Sequence, residues 1–145
     1  MRFQLALNVR DLDRAIEYYS KLFGAEVAKR KPGYANFSLE HPPLKLVLFE
    51  NPEASDRLNH VGFESFDNAE VEATIERLEP LGLATRIVRD EHCCYARKST
   101  LYAHDPEGLL WEFYKREGDE EEFGMPMPEA GPPEASDDSA EGCCS

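Results

Sequence analysis

The stretch "QLALNVRDLDRAIEYYSKLFG", residues 4–24, decides the fold because the chain carries a second version of it. Residues 3–9 read as a strand, and Asp11 is placed to cap a helix over 12–23. Ala15, Ile16, Tyr19, Leu22 and Phe23 recur on that helix at helical spacing, and Gly24 ends it. The second version is "HVGFESFDNAEVEATIERLEPLG", residues 60–82. Its strand is expected over 60–66. Asp67 and Glu70 then stand at capping-box spacing, and Val71, Ile75 and Leu78 share one helix face. Gln4 aligns with His60 and Asp11 with Asp67, both 56 positions on, whereas Gly24 and Gly82 are 58 apart. The second copy therefore has a longer helix or turn, and Pro80 is expected to shorten its helix.

Three short strands follow each helix. In the first copy they are expected near 26–30, 34–39 and 44–50, separated by "KPG" (31–33) and "HPP" (41–43). In the second they fall near 84–89, 99–103 and 109–114, with "HDPEG" (104–108) as the tight turn before the last. Each βαβββ unit is too small to stand alone, so two should pair and share one curved sheet. The fold class is α+β, with two tandem βαβββ modules forming a curved mixed sheet. This organisation resembles the vicinal oxygen chelate superfamily, which includes glyoxalase I and the extradiol dioxygenases. The resemblance covers residues 1 to about 116 and implies a metal-binding cup. A single domain is expected over 1–116, with modules at about 1–52 and 57–116.

The net charge of -13 is unevenly spread. From Glu117 onward there are ten acidic residues and no Lys or Arg, which leaves 1–116 at only -3. Residues 117–145 are also dense in Pro, Gly and Ser, and are expected to be a disordered acidic tail ending in Cys143 and Cys144. No basic patch with interleaved aromatics occurs, so nucleic acid is not expected as a partner. No apolar run reaches the roughly 20 residues of a membrane span, and no signal peptide is read at the N-terminus. A cytoplasmic location is expected. The four cysteines come as two adjacent pairs, and neighbouring cysteines bridge only through a strained ring. Free thiols in a reducing compartment fit better.

In the superfamily the metal ligands come from the first and last strands of each unit and point into the cup. The first strands here offer Gln4 and His60, and the last strand of the second unit offers Glu112 in "LLWEFY". The matching position of the first unit is Val47, which cannot bind a metal. An interior Glu112 would need a cation, while strand alternation with Trp111 and Phe113 also fits an outward-facing glutamate. His60 alone suits a satisfied strand-end histidine, and Gln4 an ordinary strand residue. Their joint placement at repeat-equivalent positions points to a metal. Three N/O ligands with room for others suit a catalytic centre. The set is a relative of the two-histidine-one-carboxylate triad, which favours non-haem Fe(II) and leaves positions for dioxygen and substrate. Zinc, nickel and manganese also suit these ligand types.

Cys93 and Cys94 follow the "ATRIVRD" strand, in the segment equivalent to "KPG" of the first copy. They read as exposed cysteines of a surface hairpin, as half of a zinc or cadmium site with His92, or as a two-sulfur clamp for a soft centre. A trivalent organoarsenical, with one carbon and two exchangeable positions on arsenic, meets the last description. "QLALNVRDLDRAIEYYSKLFG", "KPGYANFSLEHPPLKLVLFE", "LNHVGFE", "CCYA", "DPEGLLWEFY" and the Cys-Cys terminus together resemble the organoarsenical carbon–arsenic lyases. That resemblance implies Fe(II) held by Gln4, His60 and Glu112, and arsenic held by Cys93 and Cys94. It also implies oxygen-dependent cleavage of methyl- or aryl-arsenicals with release of arsenite. Arg89, Arg97 and Lys98 are placed to favour thiolates. Tyr34, Asn36 and Tyr102 are candidate pocket walls, and Cys143 and Cys144 a candidate arsenical-capturing tail or a dispensable one. A monomer or a homodimer fits two units per chain. The other readings are a non-enzymatic cadmium- or metalloid-binding protein and a glyoxalase or thiol-transferase relative.

Overall fold

Alternation along β1 (Arg2–Val9) gives this strand two unlike faces. Leu5, Leu7 and Val9 point one way, and Arg2, Gln4, Ala6 and Asn8 the other. The structure is a computed structural model that describes residues 1–92 and 96–116, with the backbone alone for 90–92 and 96–98. Cys93, Cys94, Cys143, Cys144 and the acidic segment 117–145 lie outside the described residues. The chain divides into two compact units, Met1–Glu64 and the residues from Ser65 on.

In the first unit β1 is followed by α1 (Leu12–Phe23), β2 (Lys29–Lys31), β3 (Tyr34–Glu40), β4 (Pro43–Glu50) and β5 (Leu58–Ser65). The strand order is β2-β3-β4-β1-β5, with β1 parallel to β4 and every other pairing antiparallel. The sheet is therefore mixed. Leu5, Leu7 and Val9 pack with Ala35, Phe37, Leu46 and Leu48 under α1, whose Leu12, Ala15, Ile16, Tyr19 and Phe23 close the core. Leu22, expected in that stripe, is 56% exposed, and Leu12 takes its place at the start of the helix. Asp11 Oδ1 accepts the Arg14 amide at 3.1 Å, as its capping position predicted. Glu50 Oε2, at the end of β4, accepts the Leu12 amide at 2.9 Å and adds negative charge at the helix start.

The second unit holds α2 (Asn68–Leu78), a 3-10 turn (Glu79–Leu81), β6 (Arg86–His92), β7 (Ala96–His104) and β8 (Leu110–Lys115). Its strands run in the order β8-β7-β6, all antiparallel. Val71, Ile75 and Leu78 pack on Leu101, with Ile87 and Phe113 beside them. Pro80 has no amide hydrogen to continue the α ladder, so α2 stops at Leu78. The expected capping box is relayed through a neighbour. Asp67 Oδ1 accepts the Ala69 amide at 2.9 Å, while the Ser65 hydroxyl takes the Asp67 amide at 3.1 Å and donates to Glu70 Oε2. The repeat is visible in the registers, since Asn36 faces Val47 across β3 and β4 as Tyr102 faces Glu112 across β7 and β8.

Gly24 closes α1 with φ 60, the left-handed conformation, and no atom lies near where a Cβ would sit. The penalty for Gly24→Ala is thus purely one of backbone conformation, about 1–2 kcal/mol. Urea unfolding should show that loss with an unchanged denaturant slope, and a smaller loss for Gly24→Asn.

Candidate metal centre

The face of the first sheet turned away from α1 carries the polar residues. In-register pairing brings Gln4, Ala6 and Asn8 of β1 together with Lys45, Val47 and Phe49 of β4, and with His60, Gly62 and Glu64 of β5. Tyr34, Asn36 and Ser38 of β3 continue the same face. Gln4 lies opposite Gly62, and His60 lies opposite Ala6. Two long polar side chains thus sit diagonally, each facing a small neighbour, and they lean into the space between. Gln4 Nε2 and His60 Nε2 meet at 2.9 Å, with 4% and 2% of these residues exposed.

This contact suits one tautomer. With the Gln4 amide nitrogen, which only donates, facing it, His60 Nε2 accepts and the ring proton sits on Nδ1. Asn59 Oδ1 lies at 2.7 Å from Nδ1, ready to take that hydrogen. The lone pair of Nε2 is therefore turned toward Gln4, inside the buried face. A half-turn of the Gln4 amide replaces the donating nitrogen by a carbonyl oxygen at the same place. A neutral imidazole nitrogen and an amide oxygen are ligands that a divalent transition metal accepts, so these residues fit the metal that the family resemblance implies. Phe49 backs the imidazole at a ring separation of 6.4 Å, and Tyr34 packs on Phe49 at 5.6 Å. Asn36 Nδ2 donates to Tyr34 Oη at 2.9 Å. Both proposed wall residues of the first unit thus lie on the Gln4–His60 face. Val47 is 4% exposed between Ala6 and Asn36 and offers an aliphatic surface in place of a fourth ligand.

Glu112 belongs to the second unit. Phe113 is turned into the α2 core, so Glu112 lies on the sheet face away from that helix, opposite Tyr102. It is half-buried there, and the Arg86 guanidinium stands 5.8 Å from the Tyr102 ring. In each unit, then, the predicted ligands occupy the face that the helix leaves uncovered. Arg89, expected to favour thiolates, is committed elsewhere. Its Nε and Nη2 reach Glu72 Oε1 and Oε2 at 3.0 and 3.1 Å, and that pairing raises its pKa.

Three charged residues on the Gln4 face escaped the sequence reading. Arg2, 3% exposed, donates from Nε and Nη2 to Glu64 Oε1 at 3.1 and 2.5 Å, and Lys45 Nζ donates to Glu64 Oε2 at 2.7 Å. Glu64 itself is fully buried. Burial alone would raise its carboxyl, but the Lys45 charge and hydrogen bond, followed by those of Arg2, hold it below the ordinary value. Alternation puts Arg2 on the face of Gln4 and Glu64 on that of His60, but it does not mark them as partners. Only the strand register shows that they meet.

Residues 3–113 match the model of the glyoxalase/bleomycin resistance protein/dioxygenase superfamily. The cadmium-induced protein CadI of Mycobacterium bovis is 48% identical over 145 residues, covering 99% of this chain and 92% of that protein. A trivalent organoarsenical cleaving enzyme of Thermomonospora curvata is 44% identical over 144 residues, covering 99% and 87%. Among solved structures, a glyoxalase/bleomycin resistance protein/dioxygenase superfamily member from Vibrio splendidus 12B01 superposes with a TM-score of 0.50 at 15% identity. That superposition covers 79% of this chain and 97% of the other, and it shows the shared fold.

The Arg2–Glu64–Lys45 cluster makes stability depend on acid in one direction. A carboxyl with a depressed folded pKa contributes stability above the ordinary glutamate value of about 4.3, and this is lost as pH falls through the lower folded value. Glu64→Gln leaves two buried or half-buried cations without their counter-ion and should cost about 3–5 kcal/mol at pH 7. The gap between the two proteins should close as Glu64 protonates in acid. Chemical denaturation from pH 7 down to pH 3 measures both, and a constant gap would contradict this account.

Proposed function

The chain belongs to the glyoxalase/bleomycin resistance protein/dioxygenase superfamily, and from that footing we propose that it is an Fe(II)- and oxygen-dependent enzyme cleaving the carbon–arsenic bond of trivalent organoarsenicals. The observation that carries the reading is the buried Gln4–His60 pair, whose imidazole lone pair is aimed into the helix-free face. It is supported by the 44% identical relative that bears the name of a trivalent organoarsenical cleaving enzyme.

Gln4, His60 and Glu112 would hold the metal, as the family resemblance implies. Bound Fe(II) would supply the activation of dioxygen that oxidative cleavage of the carbon–arsenic bond requires. Cys93 and Cys94 would replace the two hydroxyls of arsenic, which leave as water with the thiol protons and are restored by hydrolysis when arsenite is released, so that the carbon substituent is the part presented for reaction. Two sulfur–arsenic bonds orient the substrate without touching the reacting bond, so their binding energy lowers the entropic part of the barrier. Phe49, Val47 and Tyr34 supply apolar and aromatic surface beside His60, which suits an organic substituent and limits water. For methylarsenite the balance closes with one dioxygen. CH3As(OH)2 and O2 give As(OH)3 and formaldehyde, so arsenic stays trivalent, the methyl carbon loses four electrons and dioxygen gains them.

The 48% identical relative named for cadmium induction favours a second reading, a thiol-based metalloid or cadmium binder without turnover. One assay separates the two. Protein loaded with Fe(II) under nitrogen and mixed with methylarsenite should release arsenite and formaldehyde in equal amounts on admission of air, and none before. His60→Ala and Glu112→Ala should abolish release, as should Cys93→Ser and Cys94→Ser. Stoichiometric arsenic binding with no arsenite under any metal would favour the binder. Full turnover in the double cysteine variant would remove the thiol clamp.

A further inference from the structure

We propose that Asn59, backed by Asn8 and the Asp56 carbonyl, is a positioning relay that fixes the His60 proton on Nδ1 and so keeps Nε2 open to a divalent cation; this rests on the metal reading above. The polarity of the relay is set at its far end. A backbone carbonyl only accepts, and Asn8 Nδ2 donates to the Asp56 oxygen at 3.0 Å. The Asn8 Oδ1 is thereby turned the other way, where it accepts from Asn59 Nδ2 at 3.0 Å. That leaves Asn59 Oδ1 facing His60 Nδ1 at 2.7 Å, so the imidazole must be the donor. Both ends of each amide are committed, and the direction passes unbroken from main chain to ring.

The backbone is shaped for this chain of contacts. The register of β1 against β5 shifts between Ala6, opposite His60, and Leu7, opposite Leu58. Asn59 is therefore the extra residue of a β-bulge. On a regular strand consecutive side chains point to opposite faces, so Asn59 and His60 would diverge. The bulge turns Asn59 toward the face that His60 and Asn8 share, a use of bulges common beside functional sites. The anchor is held as well. The Asn8 amide donates to Arg57 O at 2.7 Å, Arg57 Nε donates to Asn8 O at 3.2 Å, and Asp56 Oδ1 accepts the Leu58 amide at 3.0 Å. Asn8 is 9% exposed, so little water competes for its side chain. A histidine whose second nitrogen is held in this way keeps its ligating nitrogen unprotonated and its ring in one plane.

The test uses the full chain labelled with 15N-histidine and free of metal, with His60 assigned by its absence from His60→Gln. Long-range proton–nitrogen correlation spectra should show His60 as the Nδ1–H tautomer in the wild type. Asn59→Ala should give a mixture of tautomers, and anaerobic equilibrium dialysis should show Fe(II) binding weakened about 10- to 100-fold. Asn59→Asp keeps the oxygen that faces Nδ1 and, with the Asn8 amide turned to donate to the new carboxylate in place of the Asp56 carbonyl, should restore both the tautomer and the affinity, provided circular dichroism shows all variants folded. An Nε2–H tautomer in the wild type overturns the relay, as does an unchanged tautomer and affinity in Asn59→Ala. An Asn59→Asp protein as impaired as Asn59→Ala reduces the side chain to a structural role and overturns it too. If the wild type binds no Fe(II), the metal reading falls and takes the relay's purpose with it, whereas loss of the relay alone leaves wild-type Fe(II) binding intact.

Discussion

The direction of one chain of hydrogen bonds organises the helix-free face of the first unit. Because the Asp56 carbonyl can only accept, Asn8 and Asn59 are oriented in turn, and His60 places its proton on Nδ1 and presents a lone pair at Nε2 toward Gln4. Everything around that contact accommodates it. The antiparallel pairing of β1 and β5 sets the two residues on one diagonal, and Ala6 and Gly62 keep the opposite positions small. Burying two polar side chains is costly unless their hydrogen bonds are met, and here both partners are within reach. The same strand pairing assigns β5 to the first compact unit, although its sequence heads the second repeat.

Much of this architecture could be read from the chain because it is written twice. Helix stripes, cap residues and closing glycines are local signals, and Asp11, Asp67 and Gly24 do what their positions suggested, while Gly82 closes the 3-10 turn that follows α2 rather than α2 itself. The exceptions have local causes. Leu22 satisfies the helical spacing yet points to solvent, because the apolar stripe is filled by Leu12 one turn before Ala15 and Ile16. Glu70 bonds Ser65 rather than closing its own box, since the Ser65 hydroxyl lies between it and the Asp67 amide.

The candidate site was legible only in part, and the division follows sequence separation. Gln4, His60 and Glu112 could be named from repeat equivalence, whereas Tyr34 and Asn36 could be named only as wall candidates whose face the strand register assigns. Asn59 could not, because a residue next to a strand histidine is ordinarily assigned to the opposite face, and only the bulge reverses that. Arg2, Lys45 and Glu64 were similarly silent. Each lies on a different strand, and no local pattern says that three charges will be buried against one another. Such clusters cost desolvation and return it only through good geometry, which a register supplies and a sequence does not.

Functionally, the reading divides the labour by ligand hardness, with nitrogen and oxygen donors for the metal and sulfur for arsenic. That division is the central claim, and X-ray absorption at the iron edge of the Fe(II)-loaded full-length protein tests it most directly. The account predicts a shell of nitrogen and oxygen scatterers, with the outer-shell pattern of a single imidazole and no sulfur, and loss of that pattern in His60→Ala. Sulfur in the iron shell, or an imidazole pattern that survives His60→Ala, would contradict it.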